Sequence, residues 1–275
     1  RLMGELVQSP FSISESDGVN VLDIQQSFAP SPTRLIACLK IIAFITVLDV
    51  VVLDLVLMDA NRYFYMAYLA HWALGFSLVY LFLSMTNSLL SACSKFLFQP
   101  SMEKPVPLLI RTTWALFSIS VLFQILATIM HWILVLLYGP ERDFSFIDCM
   151  KYGGILAIVI LEGFVVNRIP IRFRQVNYPM AVLLLYLIWI VIHDRHSKIG
   201  NPDKSNENES DDDAIYAVLN WNKRPVETGI ISSVTLLVAT PLIFFFLVVI
   251  SLPYRRFYSP PSPHKLEEDI GIGSP

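Results

Sequence analysis

The chain has 275 residues, of which 55% are hydrophobic and only 16% are charged, and its mean hydropathy is +0.57. A water-soluble domain carries about 25% charged residues, so this composition excludes an ordinary soluble enzyme, a nucleic-acid-binding domain and a disordered protein. The net charge of −3 indicates no particular partner.

Six apolar segments are long enough to cross a lipid bilayer as helices, which need about 20 apolar residues each. The alternating pattern of a membrane β-barrel is absent. We therefore predict an all-α polytopic membrane protein, with a bundle of about six transmembrane helices in residues 34–256. The predicted spans are Leu35–Met58, Tyr63–Leu83, Thr112–Tyr138, Asp148–Val166, Tyr178–His193 and Thr228–Leu252.

Polar segments flank and interrupt the apolar ones. Residues 1–33 are rich in Ser, Pro and Asp and have no basic region followed by an apolar stretch, so we expect no cleavable signal peptide. Residues 257–275 are typical of a disordered tail. Residues 194–227 form the longest hydrophilic loop, which is acidic in its middle.

The distribution of positive charge predicts the orientation. With six spans, 12 of the 20 Lys and Arg residues lie on the side of the termini and 8 on the opposite side. The positive-inside rule therefore places both termini in the cytosol. We expect the membrane to be an endomembrane or the plasma membrane. The long loop then faces the lumen or the exterior, where the sequon at Asn208 is either glycosylated or an unused chance match.

Seven polar side chains fall inside the predicted spans, where ionisable groups are costly and usually face the bundle interior. Judged by the helical rise, five of them lie in the lumenal half and are expected to converge on one cavity, with His71 and His131 about 10–12 Å deep. Glu162 is nearer the cytosolic edge and is expected to snorkel or to pair with Arg168 or Arg172. The seven residues are Asp49, Asp54, His71, Gln124, His131, Tyr152 and Glu162.

The third span carries a polar stripe on one helical face, at Thr113, Ser120, Gln124, Ala127 and His131. This periodicity predicts that His131 faces the bundle interior beside the second span. Two interpretations of the polar residues stay open, namely hydrogen bonding between helices and a functional cavity. No HxxxH spacing supports a metal site, and no Gly-rich phosphate loop, GxSxG or HExxH motif is present, so we predict no cofactor and no metal.

Several short motifs resemble, in their order, those of the rolling stone family. YLAHW at Tyr68–Trp72, followed by YLF at Tyr80–Phe82, is similar to the second-span pattern of that family. TIMHW at Thr128–Trp132 resembles its third span, and NRIP at Asn167–Pro170 resembles its passage from the fourth span to the fifth. IYAVLNW at Ile215–Trp221 resembles the element before its last span.

The resemblance implies a fold shared with the androgen-induced multi-pass proteins, which are intramembrane threonine hydrolases that cleave fatty acid esters of hydroxy fatty acids. Their proposed catalytic pair is a Thr in the second span and a His at the start of the fourth. In this sequence those positions correspond to Ala70 and Tyr152. Alanine has no nucleophilic group and a phenol is a poor base near neutral pH, so this carry-over predicts that the Thr–His chemistry is absent.

Three functions remain as hypotheses. The first is a non-catalytic protein for membrane organisation, fusion or lipid binding, with membrane lipids as its partners and protein partners unknown. The second is an intramembrane lipid ester hydrolase with a rearranged site, for which His131, His71 and Tyr152 are candidate catalytic residues and Ser77 offers the nearest hydroxyl. The third is a small transporter, although no inverted repeat is visible.

The charge distribution generates a testable prediction of topology. A cysteine at Ser205→Cys, in a chain lacking its natural cysteines, should react with a membrane-impermeant maleimide applied to intact cells or sealed microsomes of lumen-out orientation. A matched cysteine at Ser259→Cys should react only from the cytosolic side. Labelling of the two sites with the opposite sidedness would show that the orientation is inverted.

Overall fold

The structure is a computed structural model, and every regular element that it describes is a helix. Six of these helices are long and apolar enough to cross a membrane, which confirms the predicted all-α bundle and is the architecture of a multi-pass integral membrane protein. The structure describes residues 34–57, 62–93, 108–138, 145–169, 171–196, 216, 219–221 and 223–256.

Some predicted features lie outside the described residues. These are the sequon at Asn208, the N-terminal segment 1–33, the tail 257–275 and most of the loop 194–227.

The six spans run antiparallel in chain order. We call the end of the bundle that carries Leu57, Leu69 and Pro225 the distal end, and the end that carries Arg34 and Arg256 the terminal end. The helices are α1 (Arg34–Leu57), α2 (Leu69–Cys93), α3 (Leu108–Tyr138), α4 (Phe146–Val166), α5 (Asn177–His196) and α6, which begins at Pro225 and ends at Arg256.

Three π-helical segments interrupt the fourth and the sixth span. Two lie in α4, at Met150–Gly154 and Leu161–Val166, and one lies in α6, at Thr235–Ala239. A π-turn inserts one extra residue into a helical turn and often marks a functional region. In this chain the π-turns contain a buried Lys151 and a buried Glu162, as well as part of a cavity wall.

The distal start of α2 differs from the prediction, because Arg62–Ala67 forms a 3-10 helix and α2 begins only at Leu69. His71 is therefore the third residue of α2 and lies at the distal end, instead of eight residues into a continuous helix that begins at Tyr63. The α-helix does not begin earlier because three successive backbone carbonyl oxygens accept hydrogen bonds from side chains instead of from backbone amides of a following turn. These acceptor–donor pairs are Tyr65–His71, Met66–Trp72 and Ala67–Tyr186.

Helices α2 and α3 pack closely through hydroxyl and amide groups. The Oγ atoms of Ser77 and Ser120 are 2.8 Å apart, and Gln124 Nε2 donates to Ser77 Oγ over 3.1 Å. Nearer the terminal end, Asn87 Nδ2 donates to Thr113 Oγ1 over 2.8 Å. Most residues of the polar stripe of α3 therefore form hydrogen bonds between the two helices.

Two buried ionic contacts attach α1 to the rest of the bundle. Near the terminal end, Lys40 Nζ donates to Asn167 Oδ1 over 2.6 Å and lies 3.7 Å from Glu162 Oε1. Near the distal end, Asp54 Oδ1 accepts from Lys151 Nζ over 2.9 Å. Lys40 and Asp54 are 14 residues apart, close to four turns, so they project from one face of α1 about 21 Å apart.

The prediction that Glu162 snorkels to the cytosolic edge is wrong. Glu162 is only 4% exposed, and its oppositely charged partner is Lys40 on α1. Asn167 Nδ2 also donates to Glu162 Oε1 over 2.6 Å, whereas Arg168 is exposed. A buried carboxylate needs several donors, and Tyr80 and Ser84 of α2 also donate to Glu162 inside the bundle.

Gly163 allows α4 to approach α3 closely. A Cβ atom at this position would overlap the ring of Phe117, which is fully buried.

We predict that Gly163→Ala lowers the free energy of unfolding by about 1–3 kcal/mol or more, because the ring has no space to move into. Thermal unfolding of the purified protein in detergent measures this, with Gly153→Ala in the same helix as control, since no atom lies within 4 Å of that position. Equal melting temperatures for the two variants would contradict the prediction.

Candidate functional site

A cavity of about 260 Å³ lies in the distal half of the bundle, and residues from α2, α3, α4, α5 and α6 line it. Most of its wall is aliphatic. The polar or aromatic hydrogen-bonding groups on the wall are His131, Tyr152, Tyr186, Tyr216, Ser232 and Thr235.

Small side chains create the space. Ala70 on α2, Ala127 on α3 and Ala239 on α6 all line the cavity, and each extends only a methyl group toward it. The π-helical segment of α6 also contributes Thr235 to the wall. The small side chains therefore leave a gap between the helices at this level, while α2 and α3 pack tightly toward the terminal end.

His131 and Tyr152 form one side of the cavity as a stacked pair. Their ring centroids are 3.6 Å apart and the two planes are inclined by only 4°. Within the described part of the chain, the imidazole nitrogens of His131 have no hydrogen-bond partner. The structure thus places His131 on the wall of the cavity, which Ala70 of α2 also lines.

An ionic cluster of Asp54, His71 and Lys151 lies next to the cavity at the distal end. Lys151 Nζ is 2.9 and 3.1 Å from the two carboxylate oxygens of Asp54 and 2.7 Å from His71 Nε2. His71 Nδ1, on the other side of the ring, contacts the backbone carbonyl oxygen of Tyr65. His71 Nε2 also lies 3.0 Å from Asp54 Oδ2, so the three side chains contact one another pairwise.

Lys151 also connects this cluster to the cavity. Its Nζ lies 5.6 Å from the ring centroid of the neighbouring Tyr152, within the range of a cation–π interaction. Four of the predicted polar residues are therefore grouped at the distal end: Asp54 and His71 in the ionic cluster, and His131 and Tyr152 on the cavity wall.

The other three predicted residues do not join this group. Gln124 bonds to Ser77 between α2 and α3, and Glu162 lies with Lys40 toward the terminal end. Asp49 is exposed on the outside of α1, so its predicted place in the cavity is wrong. The reason is geometric, since Asp49 follows the buried Lys40 by nine residues, or about two and a half turns, and points the opposite way.

Sequence reasoning missed three residues of this region. Lys151 is one of the eight positive charges that the sequence analysis assigns to the side opposite the termini, although it lies three residues after the start of the predicted fourth span and the first span carries an Asp near the same end. Ser232 belongs to a stripe at Thr228, Ser232, Thr235 and Ala239, spaced by four, three and four residues, which marks one helical face.

Tyr216 is the third residue that was missed. Its hydroxyl oxygen accepts a hydrogen bond from the backbone N–H of Leu69 over 2.9 Å, at the start of α2. Burial raises the pKa of the Tyr216 phenol to about 12, so the group is neutral under physiological conditions. Tyr216 thereby closes the distal side of the cavity with an uncharged, amphipathic side chain.

Comparison with known proteins finds no matching family model, no matching curated protein and no matching solved structure. The resemblance to the rolling stone family therefore stays a prediction. The two positions that the resemblance singles out, Ala70 and Tyr152, both line the cavity. A methyl group and a phenol stand there.

Proposed function

We propose that the protein binds an acyl chain of a membrane lipid, or a lipid-like molecule with one hydrogen-bonding group, in this cavity and does not cleave it. The observation that carries the proposal is the environment of the Ser232 hydroxyl. Its Oγ atom is buried, and it has no hydrogen-bond partner among the described residues. The residue is only 7% exposed and lines the cavity.

A buried hydroxyl without a partner costs about 1–3 kcal/mol. A ligand that places a carbonyl, hydroxyl or carboxyl oxygen beside Ser232 would recover this free energy. The neighbouring Thr235 lies on the same cavity wall, as does His131, whose ring nitrogens have no hydrogen-bond partner among the described residues. The rest of the wall is aliphatic and suits a hydrocarbon chain.

The size and the mouth of the cavity support the same ligand class. An apolar cavity of about 150 Å³ already binds benzene, and this one is larger, at about 260 Å³. Ile129 and Ile133 line the cavity and are also 42% and 44% exposed, so the cavity reaches the outer surface of α3. A lipid chain would enter sideways from the bilayer at this point.

The arrangement of hydroxyls favours binding over turnover. A serine or threonine hydrolase needs a hydroxyl within hydrogen-bond distance of a base. Ala70 has no hydroxyl, and Ser77 is engaged by Ala73, Ser120 and Gln124 within the α2–α3 contact. The His131 ring lies flat against Tyr152.

The binding proposal predicts which variants lose the ligand. A palmitic acid analogue with a photoreactive diazirine, added to the protein in lipid vesicles, should crosslink to α3 and α6 around the cavity. Ser232→Ala should weaken its binding about tenfold, the effect of losing one hydrogen bond of about 1.4 kcal/mol. Ala239→Phe should abolish saturable crosslinking, because the ring occupies the cavity.

The matched control is Leu185→Phe, which adds the same ring on the outer face of α5, where Leu185 is 60% exposed. This variant should bind the probe as the unmodified chain does. If Ala239→Phe retains saturable crosslinking while its melting temperature is unchanged, the cavity is not the binding site and the proposal fails.

Ester hydrolysis is the second candidate, because the hydroxyls of Ser232 and Thr235 share the cavity wall with His131. We predict that a fluorophosphonate probe leaves the protein unlabelled under conditions in which a soluble serine hydrolase reacts completely. Labelling that disappears in Ser232→Ala or in His131→Ala, but persists in Ser77→Ala, would instead establish a hydrolase with a rearranged site.

A further inference from the structure

The outward face of α1 carries an acidic side chain that the bundle does not use. Asp49 is exposed, and within the described part of the chain it has no hydrogen bond and no ion pair. The exposed residues around it are aliphatic, including Ile45, Leu48, Val52 and Leu53. This face is therefore an apolar surface with a single carboxyl group near its centre.

The depth of Asp49 makes this exposure costly. Asp49 lies 14 residues after Leu35 and 8 residues before Leu57, the limits of the first span. These separations correspond to about 21 Å and about 12 Å along the helix. The short side chain of an aspartate cannot bridge either distance, and ionisable groups within spans are rare unless they are paired.

The same chain shows how such groups are normally accommodated. Asp54, five residues further along α1, is paired with Lys151, and Glu162 on α4 is paired with Lys40. Each of these carboxylates has a Lys from another helix as its partner. Because the contacts of Lys40 and Asp54 fix the rotation of α1, Asp49 cannot turn inward to find a similar partner.

We propose that the outward face of α1 docks a transmembrane helix of another protein, and that this helix places a Lys or Arg opposite Asp49. Charge complementarity selects this occupant. A second copy of the chain would bring another Asp49 to the same depth, while Lys40 and Lys151 are buried in their own bundle. This inference concerns the outer surface of α1 and is independent of the ligand proposed for the cavity.

A designed helix tests the proposal. The full chain is reconstituted in phosphatidylcholine vesicles with an acceptor dye on Cys38, which is exposed on α1, after Cys93→Ser and Cys149→Ser. The probe is a donor-labelled Leu/Ala transmembrane peptide with one Lys at the depth of Asp49. We expect it to associate about tenfold more tightly than the same peptide with Leu in place of Lys.

Two controls locate the effect. Asp49→Asn keeps the shape of the side chain and removes its charge, so it should reduce binding of the Lys peptide to the level of the Leu peptide. Leu53→Ala, on the same exposed surface, should leave the preference for the Lys peptide intact. A peptide whose Lys is displaced by seven residues, about 10 Å along the helix, should also lose the preference.

Two results would overturn the proposal. The first is equal energy transfer from the Lys and Leu peptides. The second is energy transfer between differently labelled copies of the chain, without peptide, that Asp49→Asn abolishes, since this would make a second copy the occupant.

Discussion

The cost of placing charge in a hydrocarbon environment determines how this bundle is assembled. Lys40 and Asp54 lie on one face of α1, and each finds an oppositely charged partner on α4. Removing one member of a buried ion pair costs about 3–5 kcal/mol, because the other charge is left without compensation. The two contacts therefore fix both the position and the rotation of α1, whose surface is otherwise mostly exposed.

The attachment of α1 also supports the wall of the cavity. Lys151 is held by Asp54 and His71, and it immediately precedes Tyr152, which stacks on His131. The ionic cluster is thus one residue away from the aromatic wall. Toward the terminal end, serine, asparagine and glutamine side chains bring α2 and α3 together, whereas alanines and a π-turn leave the distal half open.

Three residues of the motifs that resemble the rolling stone family make structural contacts at the distal end. The indole N–H of Trp72 donates to the carbonyl oxygen of Met66 over 2.7 Å, and the Tyr216 hydroxyl accepts from Leu69. His71 contacts the Tyr65 carbonyl and Lys151. His71 thus joins three elements by side-chain contacts, while the ring nitrogens of His131 on the cavity wall have no partner in the described ranges of the chain.

The sequence by itself determined the number of spans, because about 20 consecutive apolar residues leave a chain no alternative to a membrane helix. It also predicted the α2–α3 contact, since the period of the stripe through Ser120 and Gln124 is a local property of one helix. Tertiary structure decided the rest: that Lys151 is buried, that Glu162 pairs with Lys40, and that Asp49 faces outward. Those outcomes depend on the rotation of each helix about its axis, and this rotation is set by partners on other helices that no local pattern reveals.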